Sequence, residues 1–331
     1  MRKLHRKVLI TDYVWPSLDP EREVLEQAGF ELVVAPDSSE ETLTELAGDV
    51  DAIMFCFAGV TAKVLRAARK CVVASRYGIG VDNIDIPVCT ELGIVVTNVP
   101  DYCIDEVTDH TMGMIIALNR RLAVHSQEVK TGNWANVRLD RPMRRMRGAT
   151  IGIIGYGRIG RAIAAKAIAF GLNILAYDPY LSPGADTGDA RTVSLDELLA
   201  ESDFVTVHVP LTDATRHLIG RDQLAAMKQD AILVNAARGG LVDETALAEA
   251  LESGHLAGAG LDVMEPAPPD PGHPLLKQEN VIVTPHTAFF SQASTLELET
   301  RTAREVVRVA GGGEPENFIN PDVRGKSRVG L

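Results

Sequence analysis

Short β-branched runs alternate with stretches of helical period along most of this chain, and that alternation restricts its fold more than any other property. KVLITDY at 7–13, FELVVAP at 30–36, DAIMFCF at 51–57, CVVASRY at 71–77 and IVVTNVP at 94–100 are each bounded by helix-length spacers. Strands so connected must pair in parallel, because a parallel return needs a crossover whereas an antiparallel one needs only a turn. Residues 1–100 therefore predict one α/β unit. A helix is expected next, over Ile104–Val124, with Val107, Met112, Met114, Ile115 and Leu118 covering more than one face. His110 on it reads as a satisfied interior histidine rather than a ligand.

The alternation restarts at ATIGIIG, 149–155, and continues through LNILAYD, DFVTVHVP, AILVNAA, LAGAGLDV and VIVTPH. Ser194-x-x-Glu197 reads as a capping box, and Gly171 and Gly254 stand where helices should stop. After His286 no strand run is left, so the helical stretch Gln292–Ala310 is expected to return to the first unit. The fold class that follows is α/β with two doubly wound parallel sheets. Residues 101–286 would form a Rossmann domain, and 1–100 with 287–331 a discontinuous, flavodoxin-like one.

A chain of 331 residues, 46% hydrophobic and 24% charged, can bury two cores. Its net charge of −12 opposes binding to nucleic-acid phosphates and anionic membranes. The basic runs are short: Met1–Lys7, and Arg141, Arg144, Arg145 and Arg147, which read as a solvated loop. Cys56, Cys71, Cys89 and Cys103 show no C-x-x-C spacing and sit in apolar stretches, as reduced core thiols do. With no membrane-span or signal-peptide pattern, a cytoplasmic protein is expected, without nucleic-acid or membrane partners and without a metal.

The sequence Gly155-Tyr156-Gly157-Arg158-Ile159-Gly160 follows a predicted strand and opens a predicted helix. In that context Gly155 allows a tight turn, Gly157 lets backbone approach a pyrophosphate, and Gly160 permits close helix–sheet packing. The helix start offers free N–H groups and a positive dipole end. Asp178, before Pro179 at the end of the next strand, can accept hydrogen bonds from adenosine ribose hydroxyls and would repel a 2′-phosphate. The expected cofactor is NAD.

Arg238 follows Asn235-Ala236-Ala237 at a strand end, and His286 closes Thr284-Pro285-His286 at the end of the last strand of the same sheet. A guanidinium there can bind a carboxylate and a carbonyl oxygen together, and an imidazole can supply the proton a reduced carbonyl needs. Singly, each is equally a surface arginine or a capped strand end. Phe55, Phe57, Tyr102 and Phe289 form either an apolar wall or ordinary core.

The chain resembles the D-isomer-specific 2-hydroxyacid dehydrogenases across nearly its whole length. The segments that carry the resemblance are YGIGVDNID at 77–85, IGIIGYGRIGRAIA at 151–164, NAARGGLVDE at 235–244, GLDV at 260–263 and TPH at 284–286. SRYGIGVDNID, YDPYLS and TPHTAFFSQAS look most like its C-terminal-binding-protein branch and bacterial relatives. The resemblance implies an NAD-dependent oxidoreductase that interconverts a 2-oxo acid and a D-2-hydroxy acid, working as a homodimer. Arg238 would hold the substrate and His286 act as general acid–base. The N–H groups of Ile79 and Gly80 would grip the substrate carboxylate, and Arg76 and Phe289 would face the substrate. Asp262 would stand beside the nicotinamide, Val209, Pro210 and Thr215 would pass under the cofactor, and Ala236, Ala237 and Ala288 would line its site.

One departure stands out. The family places a glutamate five positions after the aspartate matched by Asp262, where it pairs with the catalytic histidine. Ungapped alignment puts Ala267 there, and a two-residue gap would bring in Glu265 instead. The alternative function is therefore an NAD(H)-binding regulatory or scaffold protein with weak or lost catalysis.

Overall fold

The computed structural model describes residues 6–135, 141–181 and 187–331. Arg2 and Lys3 of the basic N-terminal run and Ser182 of YDPYLS lie outside the described residues. The strands are β1 (Arg6–Ile10), β2 (Phe30–Val34), β3 (Ala52–Phe55), β4 (Val73–Arg76), β5 (Val95–Thr97), β6 (Thr150–Ile154), β7 (Asn173–Tyr177), β8 (Ala190–Thr192), β9 (Phe204–Val207), β10 (Ala231–Asn235), β11 (Leu256–Leu261) and β12 (Val281–Val283). The α-helices are α1 (Asp19–Gln27), α2 (Glu40–Leu46), α3 (Ala62–Ala67), α4 (Ile86–Leu92), α5 (Ile104–Asn119), α6 (Leu122–Lys130), α7 (Arg158–Ala169), α8 (Leu195–Glu201), α9 (Arg221–Ala226), α10 (Glu244–Glu252) and α11 (Gln292–Ala310).

The chain divides into two compact units, Met1–Tyr102 with Ser291–Leu331, and Cys103–Phe290. In the first, five parallel strands run in the order β2-β1-β3-β4-β5, with Val8 opposite both Leu32 and Ala52. This is the flavodoxin-like order. Strands buried on both faces need continuous apolar runs, and Val8, Leu9, Ile10 and Ala52–Phe55 are fully buried. One face carries a core shared with Leu43 of α2, Val64 and Leu65 of α3 and Cys89 of α4. Against this sheet also lies α11, whose Thr302 carbonyl accepts from the Ser75 hydroxyl of β4 at 3.3 Å.

In the second unit seven parallel strands run β12-β11-β10-β9-β6-β7-β8. Strand order reverses between β6 and β9, and in open α/β sheets ligands bind outside the carboxyl ends of the strands at such a reversal. Met112 and Ile115 of α5 and Ile163, Ala164 and Ala167 of α7 fill one face. Leu198 and Leu199 of α8, Leu224 of α9, and Leu247 and Leu251 of α10 fill the other. Among the described residues no helix is long and apolar enough to cross a membrane. None of their His, Cys, Asp and Glu side chains form a group of three that could hold a metal ion.

Two local expectations need correction. The helix expected over Ile104–Val124 is two helices, α5 and α6, broken where Arg121 adopts a left-handed φ of 52°. The loop with Arg141 and Arg144 is not simply solvated: both side chains are half-buried. Arg141 donates to the carbonyls of Leu256 and Ala257, and Arg144 donates to Gln229 and pairs with Asp203 at 3.5 Å.

Candidate active site

The turn between β6 and α7 requires glycine at two of its three glycine positions. Gly155 has φ of 92°, and a Cβ on it would lie 2.6 Å from the His208 carbonyl oxygen. A Cβ on Gly160 would lie 2.2 Å from the Gly155 carbonyl, so the helix could not start so close to the turn. Gly157 differs: a Cβ there would meet nothing within 4 Å, and the residue is exposed. Its bare backbone caps α7 without a side-chain hydrogen bond, so no side chain occupies the space before the first N–H groups of the helix. The turn thus fits a dinucleotide pyrophosphate.

Half-buried Asp178 accepts from Tyr156 N (2.9 Å) through Oδ2 and from Tyr180 N (2.9 Å) through Oδ1. These bonds fix the carboxylate beside the turn and leave each oxygen a lone pair for a ribose hydroxyl. Pro179 next to it is exposed. Val209, 8% exposed, backs Gly155. Thr215 Oγ1 donates to the Pro210 carbonyl at 2.7 Å and accepts from Thr212 N at 2.8 Å, closing that loop. Burial pushes the neighbouring His208 imidazole down to about 3, so it is neutral where it meets Thr206 Oγ1 at 2.7 Å.

At the end of β10, buried Asn235 shapes the bend. Its Nδ2 donates to the Arg238 carbonyl (2.8 Å) and its Oδ1 accepts from Ala237 N (3.1 Å). Arg238 is half-buried, extended at φ of −145°, and donates through Nη1 to the Ala237 carbonyl at 2.8 Å. At the end of β12, His286 takes the left-handed φ of 53° that few side chains adopt. Such strain, about 1–3 kcal/mol, persists only where surroundings over-determine it. Here the surroundings are Asp262, 1% exposed: its carbonyl accepts His286 N (2.8 Å), and its carboxylate accepts Thr284 Oγ1 (2.6 Å), Thr287 N (2.9 Å) and Ala288 N (2.9 Å). The half-buried imidazole meets buried Phe289 edge-on at 6.3 Å between ring centroids.

Arg238, Asp262 and His286 thus share the carboxyl edge of the sheet that carries the glycine turn. One contributor was missed in the sequence: His110 of α5 has its Nε2 3.0 Å from Thr284 Oγ1 and 3.6 Å from Asp262 Oδ1. Ala267 is exposed, and Glu265 pairs through both oxygens with Arg216, at 2.6 and 3.3 Å.

Within the first unit, Arg76 is 5% exposed and its guanidinium donates to the carbonyls of Gly80 (3.0 Å), Phe55 (3.4 Å) and Tyr77. It lies over the Phe55 and Phe57 rings at 5.7 and 5.9 Å. Its contacts brace the Tyr77–Gly80 loop. Asn98 Nδ2 holds the Ile79 carbonyl at 2.7 Å, so both Ile79 and Gly80 have their carbonyls tied inward. Phe55 is wholly buried, as core residues are, whereas Phe57 is 41% exposed. Tyr102 is 8% exposed.

The profile of the D-isomer specific 2-hydroxyacid dehydrogenase NAD binding domain matches residues 112–288. The chain is 40% identical over 317 residues to a D-3-phosphoglycerate dehydrogenase of Methanocaldococcus jannaschii, covering 95% of this chain and 59% of that one. It therefore spans well under two thirds of that relative. It is 39% identical over 303 residues to a glyoxylate reductase of Korarchaeum cryptofilum, covering 89% and 91% of the two. The structure of a D-lactate dehydrogenase from Aquifex aeolicus, complexed with NAD and lactic acid, superposes with a TM-score of 0.85 at 28% identity, covering 95% of this chain and 99% of that one. These relatives bear dehydrogenase and reductase names, not corepressor ones. Glycine turn, acid-tipped strand, arginine and histidine recur in the order the family requires, and this chain belongs to the D-isomer specific 2-hydroxyacid dehydrogenases.

Proposed function

We propose that the chain interconverts a small 2-oxo acid and the corresponding D-2-hydroxy acid, with NAD(H) as the redox partner. What supports this most is the delivery of Arg238, Asp262 and His286 to the edge of the sheet that carries the bare backbone of Gly157. Bound NADH supplies a hydride to the carbonyl carbon. Arg238 orients the substrate carboxylate and polarises the keto oxygen, charge placed where the developing alkoxide needs it. His286 donates a proton to that oxygen, and takes it back in the oxidative direction. Asp178 and the Arg158 and Ile159 amides hold the adenosine ribose and the pyrophosphate. Ile79, Gly80 and Phe289 are assigned substrate contacts by family resemblance, and Arg76, which the resemblance also places facing the substrate, braces the loop that carries Ile79 and Gly80. The names of the relatives point to glyoxylate, lactate and 3-phosphoglycerate as substrates of those proteins.

The four buried free cysteines suit a reducing, cytoplasmic compartment, and family resemblance implies a homodimer. SRYGIGVDNID, YDPYLS and TPHTAFFSQAS resemble the C-terminal-binding-protein branch, whereas the similar curated proteins bear dehydrogenase and reductase names. One observation favours a second reading, an NAD(H)-binding regulator: Ala267 carries no carboxylate for His286, and the Glu265 carboxylate is engaged by Arg216. One experiment separates the two. NADH oxidation is followed at a panel of 2-oxo acids, with wild type and His286→Gln. Turnover lost by about two orders of magnitude or more in the variant supports the enzyme, whereas NADH binding without turnover in wild type supports the regulator.

A further inference from the structure

We propose that His110 is a positioning residue for His286. The proposal rests on the reading of His286 as the acid–base. Asp262, as a carboxylate, can only accept hydrogen bonds, and it accepts the Thr284 hydroxyl at 2.6 Å. That spends the single proton of Thr284 Oγ1. The 3.0 Å contact between the same oxygen and His110 Nε2 must then run from histidine to threonine. His110 therefore carries its proton on Nε2, as the neutral Nε2–H tautomer or as the cation.

A directed chain results, His110 Nε2–H to Thr284 Oγ1–H to Asp262 Oδ1. The carboxylate at its end is the group that fixes the turn around His286, since Thr287 N and Ala288 N both donate to it at 2.9 Å. His286 N donates to the carbonyl of the same aspartate at 2.8 Å. A left-handed histidine relaxes unless its neighbours hold it, so rigidity of this turn depends on the carboxylate keeping its orientation. His110 supplies the outermost constraint from α5, and with a half-buried side chain it acts through Thr284 rather than by touching substrate. Nε2 also lies 3.6 Å from Asp262 Oδ1, close enough to add attraction without a second hydrogen bond.

Amide hydrogen exchange reads the turn directly and needs neither turnover nor cofactor. In His110→Ala, the Thr287 and Ala288 amides should exchange about tenfold faster, the effect of losing one hydrogen bond of ordinary strength. Amides in β6 and β9 should stay unchanged. His110→Gln should restore slow exchange, because its amide nitrogen falls near the position of Nε2, whereas the shorter His110→Asn should not. Thr284→Val removes the relay with little change of shape, so it should reproduce His110→Ala, and the double variant should be no faster than either single one. Kinetically, His110→Ala should lower kcat while leaving the Kd for NADH within about twofold, and His110→Gln should recover it. Unchanged Thr287 and Ala288 exchange in both His110→Ala and Thr284→Val, or a Gln variant as fast as Ala, overturns the proposal. The two readings fail separately: a protein without turnover that shows this exchange pattern keeps the positioning role and loses the enzymatic one.

Discussion

Asp178 carries the most direct prediction at the scale of single residues. Its carboxylate is fixed by two backbone N–H groups and cannot swing aside for an added phosphate without losing them. Like charges in contact cost several kcal/mol, so NADPH should bind at least about tenfold more weakly than NADH. Asp178→Ser should narrow that gap by weakening NADH and strengthening NADPH, and dissociation constants from fluorescence titration would show it. Equal affinities in wild type would remove Asp178 from cofactor selection. This residue was legible because spacing encodes it: a turn, a helix and the next strand end fix its place relative to Gly155 whatever lies elsewhere. His110 was not legible for the opposite reason. Its hydrogen-bond partner lies 174 residues away, and no local period records a contact at that separation. The chain shows only a histidine between Asp109 and Thr111, which is silent as to what it meets.

Elements were legible where their ends carry chemistry. The last helix begins at Ser291, whose hydroxyl accepts Ser294 N at 3.0 Å, and gives way to Gly311, so Gln292–Ala310 could be read in full. The break after α5 carries no such mark, since an arginine rather than glycine takes the left-handed turn. Strand β8, three residues at a sheet edge with Arg191 exposed, offers no apolar run to read. Helix pairing adds something no pattern shows, a pair of buried acids. Glu21 of α1 is wholly buried, its Oε1 accepting Tyr77 Oη at 3.0 Å and Trp15 Nε1 at 3.3 Å, while Oε2 has no partner among the described residues. Glu299 of α11 is 4% exposed, and desolvation, then the charge of Glu21, pushes it up to about 8. An acid whose pKa rises on folding binds its extra proton only in the folded state. Stability is then lost as pH climbs from the ordinary carboxylate range towards 8, and is flat beyond. Glu299→Gln mimics the protonated acid. It should melt with wild type near pH 5 and several degrees above it at pH 9. Parallel pH–Tm curves for the two proteins would refute a buried neutral Glu299.

At the scale of the molecule, the groups assigned to NAD(H) all belong to Cys103–Phe290: the glycine turn, Asp178, Val209, Arg238, Asp262 and His286. The other unit closes a separate apolar core around β1, β3 and β4. The chain passes from one unit to the other twice, after Tyr102 and after Phe290. A ligand stabilises whatever must be folded for it to bind, by RT ln(1 + [L]/Kd). At roughly one hundred times its Kd, NADH should add about 2.7 kcal/mol to the unfolding free energy of the unit that holds it. Amides exposed only by unfolding of that unit should then exchange about a hundredfold more slowly. Those of Ile153, Val205 and Leu233, in β6, β9 and β10, are the natural reporters, being fully buried mid-sheet. Leu9, Ile53 and Ala74, equally buried in β1, β3 and β4, report on the other core. If the units unfold independently, NADH alone should leave these three unchanged. Equal protection in both sets would mean that one cooperative transition spans the chain, and that cofactor binding is felt as far as the residues around Ile79 and Gly80.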